Sequence, residues 1–214
     1  MANLSLFDLT GKNAVVVGGA GGLGQAIAEG LAEAGAKVMI SSRKEESLKR
    51  ACKEIKDKTG LDILYCVCDA TKEDEVKNLL ATALEKMGSV QILVNAQGFN
   101  KKYPGTEFPV EVWDQMFDAN VKSIMLTCKH FGKYFKENDI HAKIINLSSV
   151  RGIRAVGNGG GGNVGYCATK GAVEMLTKAY ASDLRPNVQV NAIGPTITYT
   201  PMMVGILPDD PADR

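Results

Sequence analysis

The chain has 214 residues, 45% of them hydrophobic and 23% charged, with a formal net charge of +1. That length fits one domain, residues 1–214, with a sizeable core, and the balanced charge leaves no electrostatic footprint for nucleic acid or an anionic membrane. No apolar run reaches the roughly 18 residues of a membrane helix, and the start MANLSLFDLTGK lacks the basic region and apolar stretch of a secretory leader. The cysteines Cys52, Cys66, Cys68, Cys128 and Cys167 are odd in number and form no CxxC pair, so reduced thiols in a cytoplasmic protein are expected.

In chain order, short β-branched runs alternate with helical patterns. Ala14 to Gly18 is a continuous apolar run, as in a strand covered on both faces. Leu23, Ile27, Leu31 and Ala34 follow at helical spacing and end at Gly35, a residue type suited to the left-handed helix stop. Lys37 to Ser41 reads as the second strand, and Leu48, Cys52 and Ile55 mark a helix with Glu45 and Glu46 at its positive end. Ile63 to Cys68 is the third strand, and Thr71-Lys-Glu-Asp74 resembles a capping box opening a helix through Val76, Leu79, Leu80, Ala83 and Met87. Ile92 to Asn95 is the fourth strand. One long apolar-periodic helix through Trp113, Phe117, Ile124, Cys128, Phe131 and Phe135 is predicted next, then a fifth strand at Ile144 to Leu147. A helix from about Val164 to Leu184 precedes a sixth strand, Val188 to Ile193. The sequon Asn146-Leu-Ser148 lies in the predicted fifth strand and is read as core. Such alternation specifies an α/β fold: a doubly wound parallel sheet with helices on both faces. Ligands of these sheets sit beyond the carboxyl ends of the strands, so the informative residues are those just after them.

After the first strand comes Gly18-Gly-Ala-Gly-Gly-Leu-Gly24, opening directly into a helix. Glycines there permit a tight turn and let backbone N–H groups and the helix N-terminus meet a pyrophosphate; a turn kept only for packing is the alternative. No Gly-Lys-Ser/Thr closes the motif, which disfavours a P-loop. Ser41-Ser42-Arg43 ends the second strand without an acid, and an arginine there suits the 2′-phosphate of NADP better than the bare ribose of NAD, although NAD stays open and Arg43 could be a surface charge. Tyr166-Cys-Ala-Thr-Lys170 puts a phenol and an ammonium on one helical face, where the cation is expected to lower the phenol's pKa; alone, the pair is also an ordinary helix-face contact. Ser148 and Ser149 follow the fifth strand and emerge at the same sheet edge, and Asn120 is a polar residue inside the long helix, either anchoring a water behind Lys170 or serving as a satisfied core amide. His130 and His141 have no acid or cysteine at ligand spacing, so no catalytic metal is expected. Gly157 to Asn163 is read as a flexible glycine-rich loop.

With these motifs in order, the chain resembles the short-chain dehydrogenase/reductase family over nearly its whole length. Gly18-xxx-Gly22-x-Gly24 is similar to the family's glycine motif, Cys68-Asp69-Ala70 to its adenine-contacting segment, Asn95-Ala-Gln-Gly98 to its strand-four motif and Asn191-Ala-Ile-Gly-Pro195 to its strand-six segment. Asn120, Ser149, Tyr166 and Lys170 fall at its catalytic tetrad. The resemblance implies a Rossmann fold and a hydride transfer between nicotinamide and an alcohol or ketone, with polyols, sugar acids or related keto compounds as the substrate hint. It further implies Tyr166 as acid/base, Ser149 holding the reacting oxygen, Lys170 on the nicotinamide ribose and Asn120 on a relay water. Gly18, Gly22, Leu23 and Gly24 would line the dinucleotide, Ser42 and Arg43 its adenosine ribose, Asp69 and Ala70 adenine, Asn95 the ribose region and Ile197 the nicotinamide amide.

Three departures are expected to alter local contacts: Val17 for threonine, Ala96-Gln97 for Asn-Ala, and Thr196 for glycine after Pro195. The Ser149-to-Tyr166 gap is also longer than usual. The family normally continues beyond the position of Arg214, so a missing C-terminal part is expected, and a homodimer or homotetramer for the full-length protein. Rival readings are a 3-oxoacyl-carrier-protein reductase and a non-catalytic dinucleotide-binding regulatory protein.

Overall fold

The computed structural model describes residues 4–155, 163–198 and 200. Six parallel strands, β1 (Asn13–Val17), β2 (Lys37–Ser42), β3 (Leu64–Val67), β4 (Ile92–Asn95), β5 (Ala142–Leu147) and β6 (Val188–Ile193), stand in the order β3-β2-β1-β4-β5-β6. The order reverses between β1 and β4, the point at whose carboxyl ends ligands of such sheets sit. The expected doubly wound, Rossmann-like sheet is present.

Alternation along β1 explains why its sequence is apolar throughout. Val15 and Val17 belong to a core shared with α3 (Glu73–Met87), α5 (Ser123–Glu137) and α6 (Val164–Asp183), through Val76, Leu79, Phe131, Phe135 and Val173. Ala14 and Val16 face the opposite core with α1 (Gly22–Glu33) and α2 (Glu45–Thr59), through Ala28, Ala32, Leu48, Ala51 and Ile55. Each apolar side chain of β1 therefore has a helix to bury against, as expected for a central strand of a parallel sheet.

Two local expectations change. Thr71 does not cap α3: the N-cap residue is Lys72, and the Thr71 hydroxyl and amide instead donate to Asp69 Oδ1 at 2.8 and 3.1 Å. Glu75 reaches back to accept from the Asp69 amide at 2.6 Å, so the acid before the helix organises its start. The long helix is present as expected but is not α-helical throughout. α4 (Val110–Phe117) passes through a π-turn, Asp118–Lys122, into α5. Asn120 is the buried residue of that turn, and a π-turn inside a helix frequently marks a functional position. The stop at Gly35 is as expected, with a φ of 95° and its amide donating to the Ala32 carbonyl.

Candidate active site

The glycine turn after β1 is built from close approaches that leave no room for side chains. Gly18 has a φ of 79°, and a Cβ there would lie 2.6 Å from the Gln97 amide nitrogen of the loop after β4. At Gly24 a Cβ would overlap the Gly18 carbonyl oxygen, so α1 starts directly beneath the turn. Gly21 and Gly22 face the other way: Gly21 has open space where a side chain would be, and Gly22 only Thr200, 3.9 Å away. The N-terminus of α1 carries no side-chain cap and no acid in its first turn, so its N–H groups and partial positive charge are available to a phosphate. These features fit a dinucleotide pyrophosphate. Leu23 is half-buried against the α1–α2 core.

At the adenosine end, Ser42 closes β2 and its carbonyl accepts from the Cys68 amide at 3.0 Å. Arg43 stands near enough to Asp69 for its charge to act on the carboxyl. Burial alone would raise Asp69, but the two Thr71 hydrogen bonds, with Arg43 and Lys72, outweigh it and leave the carboxyl below its ordinary value. Ala70 is buried in the core, so its side chain faces inward.

The Asn95 side chain turns into the core. It is fully buried: its Oδ1 accepts from Thr127 Oγ1 at 2.7 Å, and its Nδ2 donates to Asn146 Oδ1 at 2.9 Å. Asn146 Nδ2 in turn donates to Thr177 Oγ1 at 2.9 Å, tying β4 and β5 to α5 and α6. Asn146 itself is fully buried, in keeping with its reading as a core position.

At Val17 and Ala96-Gln97 the departures from the family pattern keep links to their neighbours, although the buried Gln97 Oε1 has no partner among the described residues. The Val17 carbonyl accepts from the Ala96 amide at 2.8 Å, so main chain links the β1 end to the loop after β4. Gln97 Nε2 donates to Ser123 Oγ at 3.1 Å, fastening the same loop to α5. Ile197, in the bend after β6, is exposed.

Tyr166 and Lys170 lie in the first two turns of α6, Ser149 just past β5, and Asn120 on the π-turn. The fold brings the four to one crevice lip. Lys170 is 4% exposed; its Nζ donates to the Leu147 carbonyl at 2.6 Å and stands 5.6 Å from the Tyr166 ring centre. Asn120 Oδ1 accepts from the Phe99 amide and its Nδ2 donates to the Phe99 carbonyl, both at 2.9 Å, and Nδ2 also donates to Thr169 Oγ1 at 3.1 Å. A Cβ on Gly98 would lie 2.9 Å from Asn120 Oδ1 and 3.8 Å from Lys170 Nζ, which shows how tightly this loop backs the lysine. Ser149 caps the short 3-10 turn Val150–Gly152 through the Arg151 amide, and its hydroxyl lies near enough to the Tyr166 phenol to favour the ionised form.

The expected lowering of the Tyr166 pKa is not found. Burial raises the phenol above its ordinary value, and the nearby Ser149 hydroxyl offsets this only in part. Lys170 approaches the ring face rather than the hydroxyl, and burial lowers its own pKa to about 8. Spacing alone located the pair but not which atoms meet. The sequence reading also missed Thr169, Phe99 and the Leu147 carbonyl, whose roles are backbone or neighbour contacts without a residue-type signal.

Most of the glycine-rich segment, 156–162, lies outside the described residues. Among the described residues, no three His, Cys, Asp or Glu side chains gather as a metal site, and no helix is long and apolar enough to cross a membrane. His130 pairs with Glu73 at 2.9 Å on the α3–α5 surface.

The family model described as short chain dehydrogenase matches residues 12–211. The chain belongs to that family. It is 33% identical over 211 residues to gluconate 5-dehydrogenase of Gluconobacter oxydans, covering 98% of this chain and 80% of the relative. It is 36% identical over 202 residues to 2,5-dichloro-2,5-cyclohexadiene-1,4-diol dehydrogenase of Sphingobium indicum, covering 94% and 78%. Among solved structures, gluconate 5-dehydrogenase from Burkholderia cenocepacia, in complex with NADP and tartrate, superposes with a TM-score of 0.85 at 30% identity, covering 96% of this chain and 78% of that one. As a member of the short-chain dehydrogenases, the protein is an oxidoreductase of the NAD(P)-binding type acting on small molecules.

Proposed function

We propose that this dehydrogenase interconverts an alcohol and a ketone on a polyol, sugar acid or related keto compound, with Tyr166 as acid/base and NADP preferred over NAD. One juxtaposition carries the reading: the Tyr166 phenol near the Ser149 hydroxyl, with Lys170 over its ring, beyond the carboxyl end of β5. The nicotinamide dinucleotide, when bound, supplies or accepts the hydride. In reduction the Tyr166 O–H gives its proton to the carbonyl oxygen, while the Ser149 hydroxyl donates a hydrogen bond that holds that oxygen as charge develops. In oxidation the same phenol, deprotonated, takes the proton from the alcohol. Lys170 lies behind Tyr166 for the nicotinamide ribose, with Asn120 fixing the loop and the π-turn around it.

Gly18, Gly22, Leu23 and Gly24, with the uncapped α1 terminus, would hold the pyrophosphate. Ser42 and Arg43 would hold the adenosine ribose, Arg43 taking the 2′-phosphate. Asp69 and Ala70 would meet adenine, the Asn95 backbone a ribose, and the Ile197 backbone the nicotinamide amide. The gluconate dehydrogenases among the relatives support the substrate class. A homodimer or homotetramer is proposed with it, in the cytoplasm, the location alone being supported by five cysteines that are all free thiols.

The test is a panel of sugar acids, polyols and ketones run with NADPH and NADH side by side. Turnover that favours NADPH is expected. Equal efficiency with NADH would undo the role of Arg43, and cofactor binding without any turnover would favour a non-catalytic dinucleotide-binding protein.

A further inference from the structure

We infer that Gly152 is a positioning residue for the reaction: its missing side chain lets the 3-10 turn after β5 rest on the Lys170 peptide and so sets how close Ser149 stands to Tyr166. The inference rests on the proposed acid/base role of Tyr166. A Cβ at Gly152 would lie 2.7 Å from the Lys170 carbonyl oxygen and 2.9 Å from its carbonyl carbon, both main-chain atoms inside α6. Gly152 is not among the glycines with positive φ, so alanine has no conformational objection there. The objection is one of space.

The same segment is pinned to Lys170 at two further points. Lys170 Nζ donates to the Leu147 carbonyl at 2.6 Å, and Ser148 Oγ lies 3.4 Å from the Lys170 carbonyl oxygen. Residues 147–152 thus grip one lysine by its ammonium and its backbone. Ser149 sits between these grips. The Gly152 amide donates to the Ser149 carbonyl at 2.9 Å, so a displacement of the turn passes directly to Ser149. Ordinary contact begins at 3.4 Å, so an alanine must lift the turn or push α6 by about 0.7 Å. Helix main chain yields poorly, and the short turn moves instead. A shift of that size at a reacting group typically costs about 10- to 100-fold in rate.

The neighbouring glycine supplies the control. A Cβ on Gly171 would meet the Gly152 carbonyl oxygen at 3.6 Å, an ordinary contact, across the same helix-to-turn interface. Gly171→Ala is expected to keep activity within about threefold and to hold or raise stability, since alanine favours a helix interior.

The experiment is a double-mutant cycle of Gly152→Ala with Ser149→Ala, read as kcat and cofactor Kd, together with the ultraviolet titration of Tyr166 taken as the difference from Tyr166→Phe. Gly152→Ala is expected to lower kcat about 10- to 100-fold with cofactor Kd unchanged, and to cost less than about threefold in the Ser149→Ala background. The Tyr166 midpoint is expected to move up as the Ser149 hydroxyl, which favours the ionised phenol, draws away from it. Equal losses in both backgrounds, or an unmoved Tyr166 midpoint, overturn the inference. If Gly152→Ala does not fold, Ser148→Ala replaces it in the cycle, with a smaller loss and the same non-additivity expected. Absence of turnover in the unmodified protein would defeat the enzymatic reading alone, because the Tyr166 titration still judges Gly152.

Discussion

Lys170 stands over the face of Tyr166, its Nζ 5.6 Å from the ring centre, and donates at 2.6 Å to the Leu147 carbonyl rather than to the phenol oxygen. Phenol and ammonium are both pushed toward their neutral forms by burial, the lysine to about 8. The helix-face spacing sets the pair side by side, and strand β5 then takes the lysine's hydrogen bond.

That burial makes a signed prediction for stability. The folded pKa of Lys170, about 8, lies below its ordinary 10.5, so between these values the unfolded chain holds a proton the folded site has released. Stability from this group therefore rises with pH across that window, and its cost is fully present below it. Relative to Lys170→Met, the protein should gain up to about 3 kcal/mol between neutral pH and the top of the window. Denaturant midpoints for both proteins across the pH range check this; parallel curves would refute it.

Tyr166→Phe removes the proposed proton donor while keeping the ring against Lys170. Turnover is expected to fall by about 10²- to 10⁴-fold, the contribution typical of a positioned acid/base, with cofactor affinity unchanged. Residual activity near the unmodified rate would remove Tyr166 from the chemistry.

Asn120→Ala would strip partners from the Phe99 amide, the Phe99 carbonyl and the Thr169 hydroxyl at a fully buried position. Unfolding free energy should drop by about 2 to 4 kcal/mol, since buried groups left unpaired forfeit their full solvation. Equilibrium urea unfolding measures it, and a change under about 0.5 kcal/mol would contradict the role given to the π-turn.

Asn146→Ala tests the polar chain that joins Asn95 to Thr177. It deprives Asn95 Nδ2 and Thr177 Oγ1 of partners inside the core. A loss of about 2 to 4 kcal/mol is expected, with kcat changed far less than stability. A selective loss of cofactor affinity without destabilisation would instead point to a direct ligand role.

Arg43→Ala addresses the cofactor. Removing one charge-assisted contact to a phosphate should weaken NADPH about 10- to 100-fold and leave NADH nearly unchanged. Equal weakening of both by calorimetry would show that Arg43 does not read the 2′-phosphate.

Much of this was legible without a fold. Continuous apolar strands, amphipathic helices and the glycine turn between them follow from local periodicity and local sterics, so β1, β2, β4 and the placement of Gly18, Gly22 and Gly24 agree with the chain order. Boundaries moved where a side chain found a better partner than its helix: Thr71 turns to Asp69 instead of capping α3, and the π-turn at Asn120 interrupts a stretch whose apolar spacing reads as one helix.

Sequence determined the element order, the parallel sheet and the types of residue brought to the crevice lip, because these depend on patterns within one segment or its neighbours. Tertiary structure decided which atoms meet there: that Asn95 turns into the core, that Asn120 holds Phe99, that Lys170 bonds Leu147, and that burial raises Tyr166. Those outcomes depend on contacts between segments far apart in the chain and on how much water they exclude, and no single segment encodes either.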